Sequence, residues 1–148
     1  MNVLLSIRPK YVEVMTEGKK SFEFRKSMFR NESIERVYLY STQPIGKIVG
    51  SFKVGRVISA DPRLLWEKLG PMSGITDVDF FDYFKNTDVG FAIEIIDLQV
   101  FRTPVSPSLF IQGFKPPRSF MYIDGQLSSI TLHTDVSNTT VKQKQIPL

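Results

Sequence analysis

The sequence predicts an α+β fold built around a small bent β-barrel of about five to six mixed strands, with short helices packed at its ends. Three observations predict it. Runs with strand periodicity outnumber helical ones. The longest of them, Lys47 to Ser59, is interrupted by Gly50 and Gly55, and glycine inside a strand marks the bulges and bends that a small barrel needs at its corners. The helical segments are short and bounded by proline and glycine, so they cover a strand core and do not build one.

Val3-Leu4-Leu5-Ser6-Ile7 is a short apolar run that reads as a buried strand. Pro9 suits the first turn of a helix, where its missing N–H would have had no partner. That helix carries Tyr11, Val12, Val14 and Met15 and ends at Gly18. Ser21-Phe22-Glu23-Phe24-Arg25 alternates polar and aromatic, the period of a half-buried strand. Val37 to Tyr40 forms the next strand, closed by Ser41-Thr42-Gln43-Pro44. Asp61-Pro62 opens a helix with Leu64, Leu65 and Trp66 that stops near Gly70. Thr76-Asp77-Val78-Asp79 opens another, whose Phe80, Phe81 and Phe84 read as core at helical spacing. From Val89 to Phe101 a strong strand alternates Phe91, Ile93 and Ile95 with Ala92, Glu94 and Ile96. Thr103 to Pro117 is a proline-rich set of turns, and Arg118 to Ile123 is a closing element.

The chain of 148 residues suits one domain, over residues 1–124, with 125–148 a polar tail that is flexible or pairs as an edge strand over 127–136. With no cysteine and a single histidine, His133, disulfides, thiolate metal sites and multi-His metal sites are excluded. No metal or cofactor is expected. No apolar stretch approaches membrane-spanning length, and the reading is of a cytoplasmic protein without membrane contact. Charge is uneven. Residues 1–30 carry seven Lys/Arg against three Glu, a balance of +4, and residues 61–97 carry three Lys/Arg against eight Asp/Glu, a balance of −5. Such a distribution suits contact with a polyanion through one face.

The informative segment is Gly18-Lys19-Lys20-Ser21-Phe22-Glu23-Phe24-Arg25. A helix ends, a lysine follows at the turn, and the alternation puts Phe22 and Phe24 on the core side, with Ser21, Glu23 and Arg25 on the other. Lys20 reaches over that second face. Lysine, glutamate and arginine converging there can bind a phosphate or a base edge: arginine as a planar fork, lysine as a point charge, glutamate as an acceptor. On spacing alone a salt-bridged, solvent-facing strand is the favoured explanation of the pattern.

The pattern Gly-x-Lys-x-x-Glu-x-Arg, at Gly18, Lys20, Glu23 and Arg25, resembles the signature of ASCH domains, a PUA-like family. Leu5 to Tyr11 resembles the family's first strand and helix. Val37 to Ser41 with Pro44, and Ile48-Val49-Gly50, resemble its next strands, while Gly90 to Ile93 and Pro116 to Phe120 match its late elements. The resemblance spans residues 3–123. It implies a β-barrel with a cleft beside the first helix that binds RNA or modified nucleosides. Some small members remove an acyl group from acetylated cytidine, and others are ribonucleases. In the amidohydrolase pattern a Lys and a Thr lie on this motif and a Glu comes from a later helix. Lys20 matches the Lys, Glu23 stands at the Thr position, and Asp79 falls near the Glu. A carboxylate at Glu23 can orient Lys20 or act as a base on water, but it cannot repeat hydroxyl chemistry unchanged.

Two functions follow. The first is a module binding RNA or a nucleotide through Lys19, Lys20, Glu23, Arg25 and Ser41, with DNA as an open alternative. The second is a metal-independent hydrolase on RNA or acetylated cytidine using Lys20, Glu23 and Asp79. Asp79 also fits a helix cap with Thr76, and Ser41 and Thr42 fit a turn. The oligomeric state is not legible.

Overall fold

The computed structural model describes residues 1–30, 33–123, 138–141 and 143, with the side chains of 138–140 left aside. Strand β1 (Asn2–Ile7) leads into helix α1 (Pro9–Thr16), then β2 (Phe22–Arg25), β3 (Val37–Ser41) and the long β4 (Lys47–Ala60). Helices α2 (Pro62–Leu69) and α3 (Asp77–Tyr83) precede the longest strand, β5 (Gly90–Val105), which is followed by β6 (Phe120–Ile123) and β7 (Asn138–Val141). The strands form one mixed, curled half-barrel in the order β2-β5-β4-β3-β1-β6, with β7 also paired to β5. β1 and β3 are parallel, joined by the crossover that carries α1 and β2; the other pairs are antiparallel.

Each residue of β1 is buried, because apolar layers cover both faces of the sheet there. Val3, Leu5 and Ile7 point to the barrel interior with Met15 of α1, Phe52 and Ile95. Leu4 points the other way, to Tyr38, Tyr40 and Phe101, a layer closed by Phe110 and Phe114 of the proline-rich turns. A third cluster seats α2 and α3 on β2 and β5 through Phe22, Phe24, Leu65, Leu69, Phe80 and Phe84. Phe80 and Phe84 are thus core, as their spacing predicts. Phe81 is not: it is 40% exposed and lies against Trp66 at the rim, because a helix of seven residues buries only one stripe.

The expected bends are present. The pairing of β4 with β5 shifts register between Ile48 and Gly50, between Ser51 and Lys53, and between Val54 and Val57. At Gly50 a Cβ would collide with the backbone carbonyl of Gln99, so only glycine lets the two strands approach there. Arg36 fastens the same corner: it donates to Ser51 Oγ at 2.8 Å and to the Asp97 carboxylate at 2.9 Å. Asp97 itself holds a left-handed backbone with φ of 50°. From the polar tail, Asn138–Val141 pairs with Leu98–Phe101 of β5. The predicted edge strand over 127–136 and His133 lie outside the described residues. Among the described residues no helix is long and apolar enough to cross a membrane.

Gly50→Ala should therefore destabilise the fold by about 1–3 kcal/mol, since β4 and β5 must separate locally to admit the methyl group. Urea denaturation checks this, and an unchanged midpoint would remove Gly50 as the reason for the bend.

Candidate functional site

A cavity of about 380 Å³ opens between α1, the edge strand β2 and α3. Ser6, Lys20, Glu23 and Arg25 lie among its deeper lining, and Arg8, Tyr11, Asp79, Asp82, Tyr83 and Arg118 complete its walls. The structure thus brings together four of the predicted residues: Lys20, Glu23, Arg25 and Asp79. It does not bring Lys19, which is exposed and pairs with Glu17 at 2.9 Å. Nor does it bring Ser41, which is buried in the β1–β3 ladder opposite Ile7; its neighbour Thr42 lines the cavity.

The alternation in β2 is real, but neither face is solvated. Phe22 and Phe24 pack under α2 and α3, while Glu23 is 5% exposed and Lys20 only 2%. The polar face of the strand is thus salt-bridged through Lys20 and Glu23, but it does not face solvent. α1 on one side and the Ser73–Ile75 segment on the other roof the polar face of the strand.

Lys20 Nζ donates to the carbonyl of Ser73 at 2.9 Å and lies 4.0 Å from Glu23 Oε1. It also sits over the rings of Tyr11 and Phe24, 5.5 and 5.2 Å from their centroids. Burial pulls its pKa below the ordinary 10.5; Glu23 opposes that shift and Arg25 adds to it. Glu23 Oε1 accepts from the amide of Phe24 at 2.9 Å, while Oε2 is buried with no hydrogen-bond partner among the described residues. Arg25 donates through Nη2 to the carbonyl and hydroxyl of Ser119, both at 3.0 Å, and to the carbonyl of Ser6 at 3.4 Å. Its Nε is buried without a partner among the described residues.

Asp79 serves two ends. Its amide donates to Thr76 Oγ1 at 3.2 Å, the first half of the predicted cap. Its carboxylate turns outward to Lys10 Nζ at 3.4 Å, at the edge of the cavity. Sequence reasoning did not select Arg8, Tyr11, Tyr83 or Arg118. Arg8 and Tyr11 stand inside the Leu5–Tyr11 run and Arg118 inside Pro116–Phe120, so two of the segments that carry the resemblance also carry the walls. Tyr83 had no such signal; burial raises its phenol pKa, and its oxygen accepts from the amide of Lys26. Among the described residues no cluster of carboxylates or histidines could hold a metal ion.

A curled mixed half-barrel with a polar cavity against its first helix is the PUA-like arrangement. Crystal structures of ASCH from Zymomonas mobilis share the fold, with a TM-score of 0.84 and 22% identity over 90% of this chain and 96% of theirs; a point variant of that protein gives the same score over 99% of its length. The sequence model of the ASCH domain matches residues 5–96, and the chain belongs to the ASCH domain family. Among curated proteins it is 24% identical over 123 residues to an "ASCH domain-containing ribonuclease" from Zymomonas mobilis, covering 81% of this chain and 82% of that protein. It is also 26% identical over 122 residues to a "Large ribosomal subunit protein uL22" from Ureaplasma parvum, of whose length it spans 39%.

Removing one partner of a buried ion pair leaves the other uncompensated, at a cost of roughly 3–5 kcal/mol. Lys20→Met should lose about that much in urea denaturation. The pH dependence has a definite sign. Because the folded amine has a pKa below 10.5, the unfolded chain holds more protons in the window between the two values. Lys20 therefore makes stability rise with pH across that window. Lys20→Met should flatten this rise, and an identical profile in wild type and variant would show that Lys20 is not desolvated.

Proposed function

We propose that this domain binds RNA, with one unpaired nucleotide entering the cavity. The observation that carries the reading is the buried Lys20–Glu23 pair with its unpartnered carboxylate oxygen, set in a cavity whose mouth bears two exposed arginines. Unpartnered buried polar atoms are costly and rare, and a ligand's own polar groups would satisfy them. Arg8 and Arg118 supply phosphate contacts, and Tyr11 and Tyr83 supply flat surfaces for a base or sugar. The size of the cavity matches small-molecule sites. Membership of the ASCH family and the likeness to a ribonuclease support RNA over DNA as the ligand.

A second reading, hydrolysis of the bound RNA or of an acetylated cytidine, is favoured by one observation: the burial of Lys20 in the lining of the cavity, which pulls its pKa down. A lysine amine that loses its proton more readily can take one from an attacking hydroxyl or water. Glu23 would then orient that amine, and Asp79 would stand across the cavity from them.

If phosphate contacts contribute, affinity for single-stranded RNA falls with salt, with a log–log slope of about −0.7 per contact. Arg8→Ala and Arg118→Ala, both at exposed positions, should each weaken binding and make that slope shallower by one such increment. Fluorescence anisotropy at several salt concentrations checks this. Salt-independent binding, or none, would overturn the RNA reading. Glu23→Gln separates the two readings by product analysis on RNA and acetylated cytidine: a hydrolase relying on Glu23 loses roughly 100-fold in turnover, whereas wild type without turnover leaves binding alone.

A further inference from the structure

The deeper part of the cavity holds two polar atoms without partners among the described residues, Glu23 Oε2 and Arg25 Nε. Glu23 stands between two cations along the chain. Lys20 Nζ lies 4.0 Å from Glu23 Oε1 on one side, and Arg25 follows two residues later on the same face of β2. Oε1 already accepts from the Phe24 amide, so Oε2 is the acceptor left over. Lys20 has used one of its three N–H groups on the Ser73 carbonyl. Arg25 has committed Nη2 to Ser6 and Ser119, which fixes the guanidinium and leaves Nε–H to donate. Along the strand the order is therefore donor, acceptor, donor.

We infer that this floor recognises a base edge in which one N–H stands between two carbonyl oxygens, the edge that uracil presents when unpaired. The inference rests on the RNA-binding reading and adds to it the base. Glu23 Oε2 accepts from the ring N–H, while Lys20 and Arg25 Nε donate to the flanking carbonyls. Cytosine in the same pose sets the lone pair of its ring nitrogen against the carboxylate and its amino group against a cation. Shifted so that the amino group meets Glu23, it is satisfied at two points instead of three, and adenine does no better. Guanine offers an N–H to Glu23 but turns its amino group toward one of the cations. Because the edge being read is the one used in base pairing, a duplex is excluded. Arg8 and Arg118 at the mouth then meet the phosphates.

The test is anisotropy titration of labelled single strands of about ten nucleotides, made of uridine, cytidine, adenosine or N3-methyluridine, at one ionic strength. The uridine strand should bind at least about tenfold more tightly than the cytidine and adenosine strands. N3-methylation, which removes the N–H and nothing else from the edge, should erase that preference. In Glu23→Gln the carboxamide can rotate to present a donor, so the uridine-to-cytidine ratio should fall toward one. If this variant does not fold, the wild-type series decides alone. Equal binding of uridine, cytidine and adenosine strands overturns the base assignment and leaves RNA binding standing. Binding of none of the four overturns both.

Discussion

An ammonium group with almost no contact with water is the constraint around which this domain is arranged. The attraction between Lys20 and Glu23 at 4.0 Å is on the order of 4 kcal/mol at an effective dielectric of about 20. Taking each ion out of water costs several kcal/mol, so the pair alone does not hold itself in place. The remainder comes from three separate elements: the Ser73 carbonyl after α2, the ring of Tyr11 on α1, and the ring of Phe24 on β2. Gly74 allows them to converge. It has φ of 64°, and a Cβ there would sit 2.9 Å from Lys20 Cβ and 3.0 Å from Val14 Cγ2. A site that needs α1, β2 and the α2–α3 connection to meet at one amine forms only when the whole half-barrel does.

Arg25 solves the companion problem, an open seam. β2 and β6 are the two ends of the hydrogen-bonded strand order. The guanidinium spans from β2 to the carbonyl at the end of β1 and to Ser119, just ahead of β6. Phe29 stacks edge-on against Phe120, and the Arg30 amide donates to the Tyr122 hydroxyl across the same seam. Hydrogen bonds to a charged donor are stronger than neutral ones. One arginine can therefore stand in for missing ladder at this seam.

The fold was largely legible because its signals are local. The Val3–Ile7 run, the alternation of β2 and β5, Pro9, Asp61-Pro62 and the glycines at two of the bends, Gly50 and Gly55, all act within a few residues of where they stand. The motif residues Lys20, Glu23 and Arg25 were legible as one group for the same reason, since strand geometry puts 23 and 25 on one face. Their burial was not. Alternating polar residues on an edge strand ordinarily face water, and what covers them here is Ser73–Ile75, some fifty residues away in sequence. The outer walls were hidden likewise, because Arg8, Tyr83 and Arg118 come from three segments that only the folded chain brings together. Ser41 shows the converse error. It lies next to a residue that lines the cavity, Thr42, but the pleat turns Ser41 itself into the sheet.

The charge asymmetry acquires a direction once the chain is folded. The basic N-terminal segment and the acidic 61–97 segment do not form two separate surfaces; they meet across the cavity. Arg8 and Arg118 line it together with Asp79 and Asp82 of α3, and Lys10 of α1 reaches Asp79 at 3.4 Å. Between exposed charges such interactions are screened within about 10 Å at moderate salt, a length comparable to the cavity itself, so each wall acts on what enters beside it. A phosphate is drawn toward the arginines and repelled by the aspartates. An uncharged base meets no such bias and is free to go to the floor. Field and depth thus work together. On the RNA-binding reading, the charges of the lining would settle which end of a nucleotide enters first, and only then would the hydrogen-bonding atoms of Lys20, Glu23 and Arg25 come within reach of the base.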